Sequence, residues 1–125
     1  MQTSPHSTLA ASIIDTDELR TRLAASRPPR VAEILGPQSF ASGHLPGAVN
    51  LPLEGFTGNA PRLLPDKSAE IVVYCASETC QNSAMAERKL RELGYANVRV
   101  YQGGKAAWKA AGLRLEASAE PNVSP

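Results

Sequence analysis

Short apolar runs alternate with helix-like patterns along this chain, and Gly and Pro separate most of them. One run, "IVVY" within "EIVVY", is continuously apolar, as in a strand buried on both faces of a parallel sheet. The predicted strands are 31–34, 48–51, 70–74 and 97–101, and the predicted helices are 16–25, 83–93 and a short one within 103–112. This alternation predicts an α/β three-layer sandwich, with a mainly parallel central sheet of about five short strands flanked by helices.

Local signals support the two longer helices. Asp15 is followed three residues later by Glu18, a capping-box arrangement at the start of the first helix. Glu87 and Arg91 form an i,i+4 pair in the second helix, and Gly94 is placed to end it. Residues 53–70 are ambiguous because Gly and Pro interrupt any period, and they are predicted to hold at most one short helix.

Both ends of the chain are polar and contain Ser and Pro. We expect flexible tails at residues 1–11 and 117–125 around one domain at 12–116, since 125 residues suffice for one ordinary core.

The charge balance excludes several classes of partner. Thirteen Lys and Arg against twelve Asp and Glu leave a net charge of +1, which lacks the basic character of nucleic-acid or membrane-surface binders. No apolar run approaches the ~20 residues of a membrane span. The N-terminus also lacks a signal-peptide pattern. We therefore expect a cytoplasmic protein, in which two cysteines indicate reactivity more than a structural disulfide.

Cys75 ends the most apolar strand and begins a loop of small and polar residues. In open α/β sheets, ligands bind beyond the carboxyl ends of strands, so chemistry is expected at this loop. Backbone N–H groups that curl around the sulfur, together with the next helix N-terminus, would bind an anion and favour the thiolate. The alternative is that Cys75 is a small buried hydrophobic residue.

Three segments appear in a familiar order: "FASGHLPGAVNLPL", "IVVYC" and "ELGYANVRVYQGGKAAW". From about Ile14 to Trp108 the chain resembles a rhodanese-like (sulfurtransferase) domain, so the domain at 12–116 is expected to have that fold. The resemblance implies that Cys75 attacks the outer sulfur of a donor such as thiosulfate, releases sulfite, and carries a persulfide to an acceptor. The anion cradle would be the backbone of Ala76, Ser77, Glu78, Thr79, Cys80 and Gln81.

The same resemblance implies the partners. The donor would be a small sulfur-containing anion, and the acceptor a thiol or a cyanide-like molecule, thiol proteins included. No metal, nucleotide or organic cofactor is implied, and a monomer or weak dimer is expected. Two cysteines in one loop with only His6 and His44 elsewhere also fail to provide four zinc ligands.

The loop departs from the family pattern. Ser83 stands eight positions after Cys75, about two more than in many active members, and Asn82 occupies the place of the family arginine. The loop has no Lys or Arg, so doubly charged thiosulfate lacks an obvious partner. Glu78 is expected to face solvent, since carboxylates are rarely buried unpaired. Glu33 and Leu35 replace the family's Asp and Arg after the first strand, which predicts a different anchor for the neighbouring loop.

Cys80 has no counterpart in the ordinary pattern. It could attack a persulfide or sulfenate on Cys75 and form a disulfide, provided that the two Cα atoms lie within ~7 Å. It could instead shape the loop without reacting. A third possibility is that Cys80 is itself the reactive thiol, because it lies closer to the helix N-terminus.

Other conspicuous residues are predicted to be mainly structural. His44 is expected to lock a turn and Trp108 to anchor the last helix. Gly103 and Gly104 should form a tight turn near the site, while Lys105 is a marginal candidate for attracting anions.

Two other function classes remain open. One is a non-enzymatic module that carries a persulfide or senses oxidants for a partner protein. The other, a phosphatase or arsenate reductase, would use a longer loop but requires a terminal arginine that this sequence lacks.

Overall fold

A parallel sheet lies at the centre of the molecule. The computed structural model describes residues 13–117, and within them four strands run in the order β2-β1-β3-β4. These strands are β1 (Arg30–Glu33), β2 (Val49–Asn50), β3 (Ile71–Tyr74) and β4 (Val98–Tyr101). The helices are α1 (Thr16–Leu23), α2 (Pro37–Ser42), α3 (Phe56–Leu63), α4 (Asn82–Glu92) and α5 (Gly104–Ala110).

The sheet of the described residues has four strands, where about five were predicted. Ile13 forms a single parallel bridge to Val100 on the free edge of β4, so this segment contributes one bridging residue and no full strand. The α/β three-layer prediction is confirmed in its architecture. Apart from residue 117, the tails predicted at 1–11 and 117–125 lie outside the described residues.

Side chains that alternate along the strands form two hydrophobic cores. Val73 and Ala32 belong to the core that α3 and α4 cover, whereas Val72 and Val31 belong to the core that α1 and Trp108 of α5 cover. This alternation follows from the two-residue period of a strand, in which successive side chains point to opposite faces. Because all four residues of β3 are buried, the strand is enclosed on both faces, as its continuous apolar run predicted.

The predicted helix signals are present. The Glu18 backbone N–H donates to the Asp15 side chain at 2.8 Å, and Arg91 pairs with Glu87 at 3.0 Å. Gly94 has φ +101° after the end of α4, and the Tyr95 N–H donates to the Leu90 carbonyl at 3.0 Å. This bond is the Schellman type of helix end, which favours glycine at the left-handed position.

Two helices lie in the connections. Residues 53–70, predicted to hold at most one short helix, contain α3, and Pro61 lies inside it. The six-residue α2 was missed because Phe40 is its only large apolar residue; Pro37 in its first turn was the available signal. No helix within residues 13–117 is long and apolar enough to cross a membrane.

Parallel pairing aligns the strand ends that carry the site. Glu33 is in register with Tyr74, and Tyr74 with Tyr101. The carboxyl ends of β1, β3 and β4 therefore meet at one edge of the sheet, and Cys75 follows the middle one of these three.

Candidate active site

The base of the cysteine loop is fixed by the start of α5. The Lys105 N–H donates to the Cys75 carbonyl at 3.1 Å, and the Ala106 N–H donates to the Ala76 carbonyl at 2.9 Å. Gly104 adopts φ +61°, and a Cβ atom there would lie 2.2 Å from the Cys75 carbonyl oxygen. The predicted Gly-Gly turn is therefore needed for contact between two segments of backbone.

The Cys75 side chain is buried, with 1% of the residue exposed. Its sulfur lies 3.4 Å from the Cys80 carbonyl oxygen and 3.6 Å from Oγ of Ser83, in the first turn of α4. Burial raises the pKa of the Cys75 thiol, and the Cys80 side chain acts in the same direction. The hydroxyl and the backbone N–H of Ser83 act to lower it, but they do not reverse the shift.

Cys80 is half-buried and differs electrostatically from Cys75. The Cys80 N–H donates to the Ser77 carbonyl at 3.0 Å, which closes a turn and returns Cys80 toward the strand end. Burial acts to raise the pKa of Cys80, yet hydrogen bonds from the Cys75 side chain and from the N–H groups of Asn82 and Ala76 lower it below its ordinary value. The thiolate is therefore favoured at Cys80 and disfavoured at Cys75, so the expectation that the loop favours the thiolate at Cys75 is wrong, because burial of the sulfur outweighs the hydrogen bonds of Ser83.

The expected amide cradle is divided between the two sulfurs. The Ser83 backbone N–H acts to lower the pKa of Cys75, whereas the N–H of Ala76, which was assigned to the cradle of Cys75, acts to lower the pKa of Cys80. Both cysteines are free thiols. The sequence located the loop but gave no signal for this division, because the direction of each peptide group depends on the turn at Ser77.

The tip of the loop borders an open cavity of about 440 Å³. The cavity lining includes Ser77, Glu78 and Thr79 on one side and the small residues Gly103, Ala106, Ala107 and Ala110 on the other. The Ser77 and Thr79 hydroxyls lie 3.0 Å apart, and Gln81, the last residue of the predicted cradle, is exposed. Glu78 is exposed as predicted, so its carboxylate lies at the cavity wall in contact with water.

A buried polar network lies under the neighbouring strand end. Glu33 is 0% exposed and accepts a hydrogen bond from the Tyr74 hydroxyl at 2.6 Å. Its second oxygen, Oε2, has no aligned hydrogen bond among the described residues, but the Lys105 ammonium lies 3.1 Å away. The Tyr74 hydroxyl also accepts from the Leu45 N–H at 3.0 Å. Burial and then the Glu33 hydrogen bond raise the pKa of Tyr74, so the phenol remains a donor.

This network gives a structural role to Glu33, which replaces the Asp that is common in the family after the first strand. The Lys105 ammonium also donates to the Ser39 carbonyl at 2.7 Å, so it connects β1 to α2 and its charge is neutralised by Glu33. The expectation that Lys105 attracts anions is therefore wrong. Asn82 adds a further anchor, since its side-chain amide donates to the Ile34 carbonyl at 3.0 Å.

His44 and Trp108 are structural, as predicted. The His44 ring is stacked on Phe40 at 3.8 Å between centroids, and Nδ1 lies 2.8 Å from the Phe40 carbonyl. The Trp108 indole donates to the Arg114 carbonyl at 2.9 Å and packs edge-on against Tyr101. Neither ring contacts the cysteine sulfurs.

A strand-end cysteine, a loop and a helix in this order match a known family. The model of the rhodanese-like domain matches residues 15–111. The chain belongs to the rhodanese-like family. Membership accounts for the α/β architecture with a parallel sheet.

Named relatives support sulfurtransferase membership. A sulfurtransferase of Allochromatium vinosum is 31% identical over 83% of this chain and 94% of its own length. Thiosulfate sulfurtransferase PspE of Escherichia coli is 32% identical over 50% of this chain and 58% of its own length. The crystal structure of the Alr3790 protein from Anabaena superposes with a TM-score of 0.77 at 29% identity, covering 89% of this chain and 87% of that one.

Proposed function

We propose that this protein moves sulfane sulfur from a donor to a thiophilic acceptor through a persulfide on Cys75. The observation that carries the proposal is the position of the Cys75 sulfur, beyond β3 and 3.6 Å from the Ser83 hydroxyl at the start of α4. A persulfide anion needs hydrogen-bond donors, and Ser83 offers both its hydroxyl and its backbone N–H. The sulfurtransferase relative from A. vinosum supports the same reaction class.

The surroundings of the loop favour a donor whose reacting sulfur group carries a single negative charge, such as the persulfide of a small thiol, over the thiosulfate dianion. Residues 76–81 contain no Lys or Arg, and the Lys105 ammonium is held by Glu33 and Ser39. Glu78 places a negative charge at the neighbouring cavity. A thiosulfate dianion would meet this charge without a cation to offset it, so the proposed donor is a persulfide and the proposed acceptor is a thiol.

A persulfide carrier that does not turn over is a second candidate, and the burial of Cys75 favours it. A carrier would accept one sulfur atom and release it only to a partner protein that opens the loop. A phosphatase or arsenate reductase is not proposed, because the loop contains no arginine to hold an oxyanion.

Mass spectrometry after treatment with glutathione persulfide, and separately with thiosulfate, tests the proposal. We expect one added sulfur atom on Cys75 with the first donor, a slower addition with thiosulfate, and no modification of position 75 in Cys75→Ser. Release of that sulfur to excess thiol over many cycles would identify an enzyme, whereas a single stoichiometric loading would identify a carrier. Wild-type protein that never carries sulfur on Cys75 would refute both candidates.

A further inference from the structure

The two thiols of the loop differ in their access to solvent. Cys75 exposes 1% of its surface, whereas Cys80 is half-buried and lies farther along the loop. The Cys80 carbonyl is 3.4 Å from the Cys75 sulfur, so the loop turns back over the strand end and covers it. A sulfur donor that approaches from solvent therefore meets Cys80 before it can reach Cys75.

The hydrogen bonds around Cys80 suit a nucleophile. Asn82 opens α4, an 11-residue helix, and the backbone N–H groups of Asn82 and Ala76 lower the pKa of Cys80. The positive end of the helix adds to their effect. In this arrangement the more accessible sulfur ionises more readily than the buried one, which is the division of roles expected of an attacking thiol and its internal partner.

We propose that Cys80 is the thiolate that first takes the sulfur atom from the donor and that Cys80 then passes it to Cys75. This inference rests on the proposed function, in which Cys75 carries the persulfide. It assigns a catalytic role to Cys80, which the ordinary rhodanese-like pattern does not contain. The extended loop would then serve to hold this second cysteine near Cys75.

The two transfers balance without an external oxidant or reductant. In the first, the Cys80 thiolate attacks the outer sulfur of the donor persulfide, the donor S–S bond breaks, and the donor leaves as a thiolate. In the second, the new persulfide on Cys80 has lost its proton to the departing thiolate, and the proton of the Cys75 thiol moves to this persulfide anion. The Cys75 thiolate then attacks the terminal sulfur, the Cys80 S–S bond breaks, and Cys80 leaves as the thiolate with which it began.

Burial then explains why the sulfur is kept on Cys75. A persulfide in the closed strand end is less accessible to the small thiols of the solution than a persulfide on Cys80, and the Ser83 hydroxyl lies 3.6 Å from the Cys75 sulfur. The relay thus separates capture, which needs access, from storage, which needs protection.

Time-resolved peptide mapping with glutathione persulfide tests the relay in Cys75→Ser, Cys80→Ser and the exposed control Ala84→Ser. We expect the sulfur to remain on Cys80 in Cys75→Ser, and loading of Cys75 to slow on the order of tenfold or more in Cys80→Ser, since serine is a far weaker nucleophile. The control should load Cys75 at the wild-type rate. Loading at the wild-type rate in Cys80→Ser, or an unmodified Cys80 in Cys75→Ser, would overturn the relay.

A second measurement uses only wild-type protein and so does not depend on how the variants fold. Iodoacetamide should label Cys80 before Cys75. Because the pKa of Cys80 is lowered, its thiolate persists as pH falls below the ordinary pKa of cysteine, and its labelling rate should decline at lower pH than that of a free thiol. Faster labelling of Cys75 would contradict the relay. Failure of the proposed function would differ from both results, because no sulfur would appear on Cys75 of the wild type.

Discussion

The carboxyl ends of β1 and β3 lie side by side, but the groups that surround their buried side chains differ in charge. At β1, the buried carboxylate of Glu33 is compensated by a phenol and an ammonium. At β3, the Cys75 sulfur has a serine, a second thiol and backbone groups as its neighbours. Lys105, the cation at the start of α5, therefore has a structural role, because it pairs with Glu33. The hydrogen-bond donors around the two thiols are consequently uncharged. This fits the proposed sulfur donor, a persulfide with one negative charge on its reacting sulfur group.

The largest effect is expected when the Lys105 ammonium beside Glu33 is removed. Lys105→Met would leave the fully buried Glu33 carboxylate without its ionic partner, and we expect a loss of about 3–5 kcal/mol in the free energy of unfolding. Urea denaturation measures it. Lys109→Met, on the exposed part of the same helix, is the matched control and should change stability by less than ~0.5 kcal/mol. Equal free energies of unfolding for Lys105→Met and Lys109→Met would show that the ion pair between Lys105 and Glu33 contributes little to stability.

The next test concerns the contact that joins α5 to the cysteine loop. Gly104→Ala forces a Cβ atom to 2.2 Å from the Cys75 carbonyl oxygen, in addition to the strain of φ +61°. Gly112→Ala has a similar φ of +81° with open space around it, so it isolates the strain. We expect Gly104→Ala to be less stable than Gly112→Ala by about 1–3 kcal/mol, and to load sulfur more slowly because the loop base is displaced. Thermal unfolding and persulfide mapping measure the two effects, and identical behaviour of the variants would refute the steric argument.

The smallest effect is expected from charge at the cavity. Glu78→Gln removes the carboxylate beside the loop and should raise the loading rate with thiosulfate by about two- to threefold, with little change for glutathione persulfide. The gain should shrink in high salt, since the residue is exposed. Glu92→Gln, at the far end of α4, should leave both rates unchanged. An equal gain with both donors would mean that Glu78 acts through the shape of the loop.

Local signals predicted much of the fold and the location of the site. The continuous run of β3 located Cys75 at a strand end, and Asp15 and Gly94 marked helix ends through interactions within a few residues. The ion pair between Glu33 and Lys105 joins positions 72 residues apart, so no pattern of neighbouring residues could predict it. The direction of the Ala76 and Asn82 N–H groups likewise depends on how the loop turns, which residue types alone do not fix.

The hydrogen bonds from the start of α5 divide the cysteine loop into a stationary stem and a freer tip. The Cys75 and Ala76 carbonyls are held by the Lys105 and Ala106 amides, whereas Glu78 and Thr79 are exposed. Any adjustment to an arriving donor is therefore confined to the few residues of the tip. In the proposed relay, sulfur would therefore be received near the freer tip and kept at the hydrogen-bonded stem.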